Sequence, residues 1–136
     1  MSIDYYFEET DKIDISGSIG EWLQRVIQRE KKEAGEISFI FCSDDYLLEM
    51  NRKYLNHDYY TDVITFDYTE EDMISGDIFI SVDTVADNAK SYKVEFKDEL
   101  YRVMVHGVLH LIGYKDKAEK DKILMTAKED EYLTAL

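Results

Sequence analysis

Between Val103 and Ile112 this chain of 136 residues has its most apolar stretch, and two of its three histidines, His106 and His110, lie inside it. Val103, Val105, Val108, Leu109, Leu111 and Ile112 leave little doubt that the segment is buried, and its length suits a helix better than a strand. Four residues along an ideal helix turn it by about 400° and advance it by about 6 Å, so the two imidazoles project from one face, a turn apart. That spacing lets two ring nitrogens share one metal ion. The fold must therefore bury this helix while keeping one stripe of it open.

A third ligand has to come from outside the helix. If the helix continued, Asp116 would lie about 600° round and about 9 Å beyond His110, facing away from both rings. Gly113 offers another path. A glycine after the last apolar residue is a common left-handed helix stop, so the chain can turn there and fold Asp116 back over the histidines. The pattern becomes His-x3-His-x5-Asp, with one coordination position left for solvent, as in catalytic rather than structural zinc sites. Two blander readings stand beside it: the histidines as polar members of a helix face, and Asp116 as the cap of a following helix. An unpaired imidazole in an apolar segment is costly, which favours a site.

The stretch His106-Gly107-x-Leu109-His110-Leu111-x-Gly113-Tyr114 resembles the signature of the YbeY family of bacterial single-strand-specific metallo-endoribonucleases, which act in ribosomal RNA maturation and ribosome quality control. The resemblance extends upstream to Glu99 and to two further blocks. One runs ungapped from Met50 to Phe66, with Asn51, Tyr54, Asp58, Thr61, Asp62, Val63 and Phe66 in register. The other is Gly76-Asp77-Ile78-Phe79-Ile80-Ser81. The resemblance implies a zinc site, one ion per chain, held by His106, His110 and the residue at position 116. It also implies action on the 3' end of small-subunit ribosomal RNA, ribosome or ribosomal-protein partners, and cleavage of single-stranded RNA.

Three departures carry chemical weight. Asp116 stands where the family has a third histidine. The exchange lowers the net charge of a zinc site from about +2 to about +1, acidifies bound solvent less, and makes other divalent metals acceptable occupants. Leu55 stands where the family has an arginine, and leucine can neither pair with phosphate nor stabilise developing charge. Arg52 and Lys53 are the nearby cations that could take its place. Tyr60 replaces the family's proline. His57, in the same polar loop, is expected to be an exposed residue rather than a ligand.

Composition sets the remaining limits. The length and the 45% apolar content suit one domain spanning residues 1–136. No apolar run approaches the roughly 20 residues of a membrane span, and no signal-peptide pattern opens the chain, so a cytoplasmic protein is expected. The single cysteine, Cys42, reads as core filler and agrees with a reducing compartment. The net charge of −14 is unfavourable for binding a polyanion. It is unevenly spread, however: residues 1–86 hold 7 basic and 20 acidic side chains, and residues 87–128 hold 9 and 7. The acidic remainder reads as a solvated surface or a face for a basic partner.

Taken in order, residues 3–7 read as a strand. Residues 18–34 read as a helix with Ile19, Trp22, Leu23, Val26 and Ile27 inward, capped by Ser16 or Ser18 and stopped by Gly35. Glu36 to Cys42 is a second strand. Ser43 caps a helix running to about Tyr54. Thr61 to Phe66 and Gly76 to Ser81 form a hairpin across a loose acidic connection, with the side of Ile78 and Ile80 buried and the other side more accessible. A helix from Ser81 or Asp83 to about Tyr92 turns Val85, Ala89 and Tyr92 inward. Lys90, Lys93 and Lys97 on and after it are the candidate phosphate-facing surface.

Asp98 is expected to cap the helix of the two histidines. Glu99 lies on the stripe of His106 and His110 as a candidate catalytic or orienting carboxylate. A final amphipathic helix turns Ile123, Leu124, Ala127 and Tyr132 inward. The whole is expected to be an α+β single domain, a mixed sheet of about four strands against about five helices, and a monomer.

Three functions fit these residues: a metal-dependent endoribonuclease, a ribosome-associated RNA-binding maturation factor with a mainly structural metal site, and a metallopeptidase. Gly107 argues against the last, because the peptidase motif places its glutamate base directly after the first histidine.

Overall fold

The N-terminal strand β1, Ser2–Glu8, pairs in parallel with β2, Glu33–Cys42, so the chain must cross over between them. The crossover is α1, Gly17–Arg29, whose Ile19, Trp22, Leu23, Val26 and Ile27 are all buried. A computed structural model describes residues 2–136. After β2 come α2, Asp44–Leu55, then β3, Val63–Asp67, and β4, Met73–Ser81. Three helices close the chain: α3, Val82–Tyr92; α4, Phe96–Ile112; and α5, Glu119–Leu133. The sheet order is β1-β2-β4-β3, parallel except for the antiparallel β3–β4 pair. Four strands and five helices in one mixed-sheet α+β unit are what the sequence pattern indicates.

Helix α4 lies across the sheet and is the centre of the larger core. Leu100, Val103, Met104, Val105, Val108, Leu109 and Leu111 pack among Ile37, Phe39, Phe41, Ile78 and Ile80 of the strands and the inward face of α1. Each such side chain contributes about 1.5–3 kcal/mol relative to an exposed position. Gly107 permits the close approach. A Cβ there would lie 2.7 Å from Ile78 Cγ2, too near for real atoms. The residue that excludes the peptidase motif is thus also required by packing.

Local chemistry explains where most helices begin. Ser16, Ser43 and Ser81 each accept a hydrogen bond from a backbone N–H in the first turn of α1, α2 and α3. Asp44 ties two of these starts together, since its Oδ1 accepts from Thr84 Oγ1 at 2.6 Å and also from the Ser81 hydroxyl. Cys42 is wholly buried, donates to the Ile80 carbonyl, and has its thiol pKa pushed up to about 12 by burial and nearby carboxylates. It is core filler, as expected.

Several expectations are corrected. Helix α1 ends at Arg29, five residues early, because Lys31 takes a left-handed conformation; Gly35 lies inside β2 and stops nothing. The acidic connection is tight rather than loose, with β4 starting at Met73 and Glu70 bridging to it. The sheet face bearing Phe79 is also covered, by Leu47 of α2 packed with Ile40, Cys42 and Ile64. Tyr92 is 62% exposed. Asp98 lies in the first turn of α4, and the cap position is Glu95, which makes no side-chain capping bond. In α5 the inward residues are Met125, Glu129 and Tyr132, while Ile123, Leu124 and Ala127 face outward. No helix among the described residues is long and apolar enough to cross a membrane.

Candidate metal centre

Helix α4 stops at Gly113, which adopts φ +125°, a backbone conformation that L side chains rarely take. The Gly113 N–H bonds to the His110 carbonyl and the Tyr114 N–H to the Leu109 carbonyl, the paired bonds of a Schellman stop. The next residues run back over the helix. Asp116 Oδ2 comes to rest 3.3 Å from His106 Nε2 and 3.3 Å from His110 Nε2. The histidine rings are 4.9 Å apart at 74° to each other. These three residues are the group that could hold a metal ion among the described residues, with their donor atoms within 4.8 Å of one another.

The separations themselves test the fit. Two donors each about 2.0 Å from a tetrahedral ion lie about 3.3 Å apart, which is the separation of Asp116 Oδ2 from each imidazole, so two imidazoles and a carboxylate fit a zinc ion. The donor set also leaves one corner of the tetrahedron to solvent. All three ligands are half-buried, beside a groove of about 580 Å³ whose walls include Leu55, His57, Tyr59, Asp62 and Lys117.

Helix α5 supplies the support behind the ligands. Glu129, 6% exposed, accepts from or shares a proton with His106 Nδ1 at 2.6 Å, while its other oxygen accepts from Arg102 Nη1 at 2.8 Å. Arg102 reaches on to Asp130. A carboxylate on Nδ1 fixes the tautomer that directs the Nε2 lone pair at the ion. Burial disfavours a charged His106, but its hydrogen bond to Glu129 and the charges of Glu129, Asp116 and Asp62 outweigh it and hold the imidazole above its ordinary pKa.

The turn carrying Asp116 is fastened from the far side. Glu30, just past α1, accepts from Tyr114 Oη at 2.6 Å and from the Tyr132 hydroxyl, and Lys128 Nζ lies 3.5 Å away. One carboxylate thus joins the end of α1, the metal turn and α5. Trp22 Nε1 donates to the Tyr132 carbonyl at 2.9 Å and completes the anchor.

The other candidate residues fall in different places. Glu99 is buried one stripe-length up α4 and lines a second cavity next to His106. Arg52 is paired with Glu49 and Asp58, and Lys53 lies over the Tyr54 ring; neither lines the groove. Lys90, Lys93 and Lys97 are exposed around the α3–α4 connection. His57 is exposed as expected, stacked on Tyr59 with ring centres 5.1 Å apart. Sequence reasoning missed Glu129 and gave Asp62 no role. Asp62 lines both cavities next to His106, and burial raises its carboxyl pKa against the opposing pull of His106.

Fold and site together define an α+β protein whose central helix presents a three-donor candidate metal centre with an open side. A family model described as "Endoribonuclease YbeY" matches residues 5–136. The chain belongs to that family. It is 53% identical over 131 residues to the endoribonuclease YbeY of Flavobacterium psychrophilum, covering 96% of this chain and 94% of the relative. It is 50% identical over 133 residues to that of Cytophaga hutchinsonii, covering 96% and 93%. The solution structure of a Thermotoga maritima protein superposes with a TM-score of 0.66 at 30% identity, covering 95% of this chain and 86% of the other.

Proposed function

We propose that this chain is a zinc-dependent endoribonuclease that hydrolyses single-stranded RNA, acting on ribosomal RNA, including the 3' end of the small-subunit RNA, in maturation and ribosome quality control. The observation that carries the reading is the donor group of His106, His110 and Asp116, with the carboxylate at zinc spacing from both imidazoles, on the wall of an open groove. His106 Nε2, His110 Nε2 and Asp116 Oδ2 would hold the ion. When bound, zinc supplies Lewis acidity that polarises a phosphodiester oxygen and lowers the pKa of water. Another divalent metal is compatible with the aspartate, but two imidazoles favour a borderline-soft ion over magnesium or calcium.

The protein's own groups orient and exchange protons. Glu129 keeps the Nδ1 proton of His106 in place. Asp62, half-buried beside His106 and with its carboxyl pKa raised by burial, is the carboxyl positioned to take a proton. His57 and Tyr59 offer a stacked aromatic wall for an unpaired base, which suits an acidic protein that gains little from phosphate contacts. The five exposed or peripheral cations, Arg52, Lys53, Lys90, Lys93 and Lys97, then steer RNA rather than grip the reacting phosphate. The protein works as a monomer in the cytoplasm, where ribosomes are its partners.

The test is cleavage of a single-stranded RNA oligonucleotide by zinc-loaded protein, with metal content measured at about one equivalent per chain. His110→Ala abolishes cleavage, and Asp62→Asn lowers kcat by about 10²-fold with KM unchanged. Equal activity in wild type and His110→Ala would mean a contaminating nuclease and would defeat the reading.

A further inference from the structure

Next to His106, with Asp116 not among its walls, lies a cavity of about 640 Å³ between the α3–α4 connection, α4 and α5. Its volume lies in the range of small-ligand pockets. Tyr92, Val94, Val103, Leu133 and Leu136 give it apolar walls. Asp62 and His106 border both this cavity and the metal groove, so the two spaces meet at the ligand histidine.

Its polar groups are unequally engaged. Glu129, Arg102 and His106 satisfy one another. Glu99 feels the Arg102 charge but bonds to none of them. It is 5% exposed, yet its carboxylate accepts no hydrogen bond and forms no ion pair with any described residue. No buried side-chain oxygen among the described residues is both sealed from solvent and unpartnered, so the oxygens of Glu99 remain accessible, and the cavity is the space they line. A carboxylate withdrawn from bulk solvent, with no hydrogen-bond partner in the protein, turns its free acceptor capacity toward the cavity, where a ligand's donors can meet it.

We infer that this cavity is a nucleobase subsite, in which the Glu99 carboxylate reads the Watson–Crick edge of a guanine next to the cleaved bond. The inference rests on the ribonuclease reading. Asp62, Asp98, Glu99 and Glu129 line the cavity against one arginine, which repels phosphate and leaves the base as the part of RNA that can enter. Guanine alone among the four bases presents two adjacent N–H donors, N1–H and N2–H, to two carboxylate oxygens. Uracil and cytosine set a carbonyl or ring-nitrogen acceptor beside their donor, and adenine pairs its amino group with the N1 acceptor. The exposed Tyr92 ring at the rim supplies the face on which the base stacks.

The experiment titrates the full-length protein with guanosine, inosine and uridine, following methyl NMR signals of Val94, Val103 and Leu133. In parallel, cut sites in a random single-stranded RNA library are sequenced. Guanosine shifts those signals, inosine, which lacks the N2 amino group, binds about tenfold more weakly, and uridine does not bind. Glu99→Gln and the surface variant Tyr92→Ala each weaken guanosine about tenfold. In the library, guanine is enriched at one fixed offset from the cut, and Glu99→Gln loses the enrichment. Equal binding of guanosine, inosine and uridine, or guanosine binding unchanged in both variants, overturns the inference. So does a lysine-rich peptide that shifts the same signals when guanosine does not, which would make the cavity a protein-docking site. RNA cut without a guanine preference sinks the subsite alone. Selective guanosine binding without any RNA cleavage sinks the ribonuclease reading and leaves the subsite standing.

Discussion

Removing Glu129 isolates the contribution of a residue that touches no ion. In Glu129→Ala, His106 Nδ1 loses its 2.6 Å partner and Arg102 keeps only Asp130. The freed imidazole can rotate and change tautomer, and loss of such a supporting carboxylate typically weakens metal binding by about 10- to 100-fold. At RT ln 10 per decade that is about 1.4–2.8 kcal/mol. Glu129→Gln keeps volume and one acceptor and should lose about tenfold or less. Zinc affinity is measured by competition against a chelator at fixed pH, with far-ultraviolet circular dichroism to verify folding. A folded Glu129→Ala protein that binds zinc as tightly as wild type would refute the orienting role.

Other expectations follow from single residues. Gly113→Ala forces a side chain onto φ +125°, so it should cost about 1–2 kcal/mol in denaturant unfolding and also weaken zinc binding by displacing Asp116. Unchanged zinc affinity would separate the turn from the site. Burial tends to raise the Glu30 pKa, but hydrogen bonds from Tyr114 and Tyr132 and the Lys128 charge prevail and hold it below 4.5. A lowered folded pKa means the stabilisation is complete above the unfolded value and is lost as pH falls through the folded one. Glu30→Gln should therefore flatten the acid limb of stability below pH 4.5 in denaturant titrations, and an unaltered limb would contradict the anchor. Leu55 is 38% exposed on the groove wall, so Leu55→Arg should fold normally. It should raise RNA affinity and steepen the log–log salt dependence by about 0.7; an unchanged slope means the new charge does not meet phosphate.

The helix of the two histidines and the turn after it were legible because their signals are local. Apolar periodicity marked the helix, the i, i+4 spacing aligned the rings, and Gly113 marked where the backbone could reverse. The four strands were legible from their β-branched and aromatic runs. Glu129 was hidden for a physical reason. It lies on the inward face of α5 with Met125 and Tyr132, so that face is partly polar, and a search for apolar periodicity selects Ile123, Leu124 and Ala127 instead. A buried glutamate makes sense only once its partners, Arg102 and His106, are seen across the helix pair. Gly35 misled in a related way. A glycine near a helix end resembles a stop, yet here Lys31 takes the left-handed turn and Gly35 serves the strand beside Ser75. The inward placing of Tyr92 failed because the ring belongs to a cavity rim rather than to the core.

Crystals grown with zinc, measured on both sides of its absorption edge, test the centre most directly. The account predicts one anomalous peak per chain, about 2.0–2.1 Å from the Nε2 atoms of His106 and His110 and about 2.0–2.2 Å from Asp116 Oδ2, with solvent at the fourth corner. A peak held by the histidines with Asp116 more than about 5 Å away, or a fourth protein ligand closing the site, would contradict it.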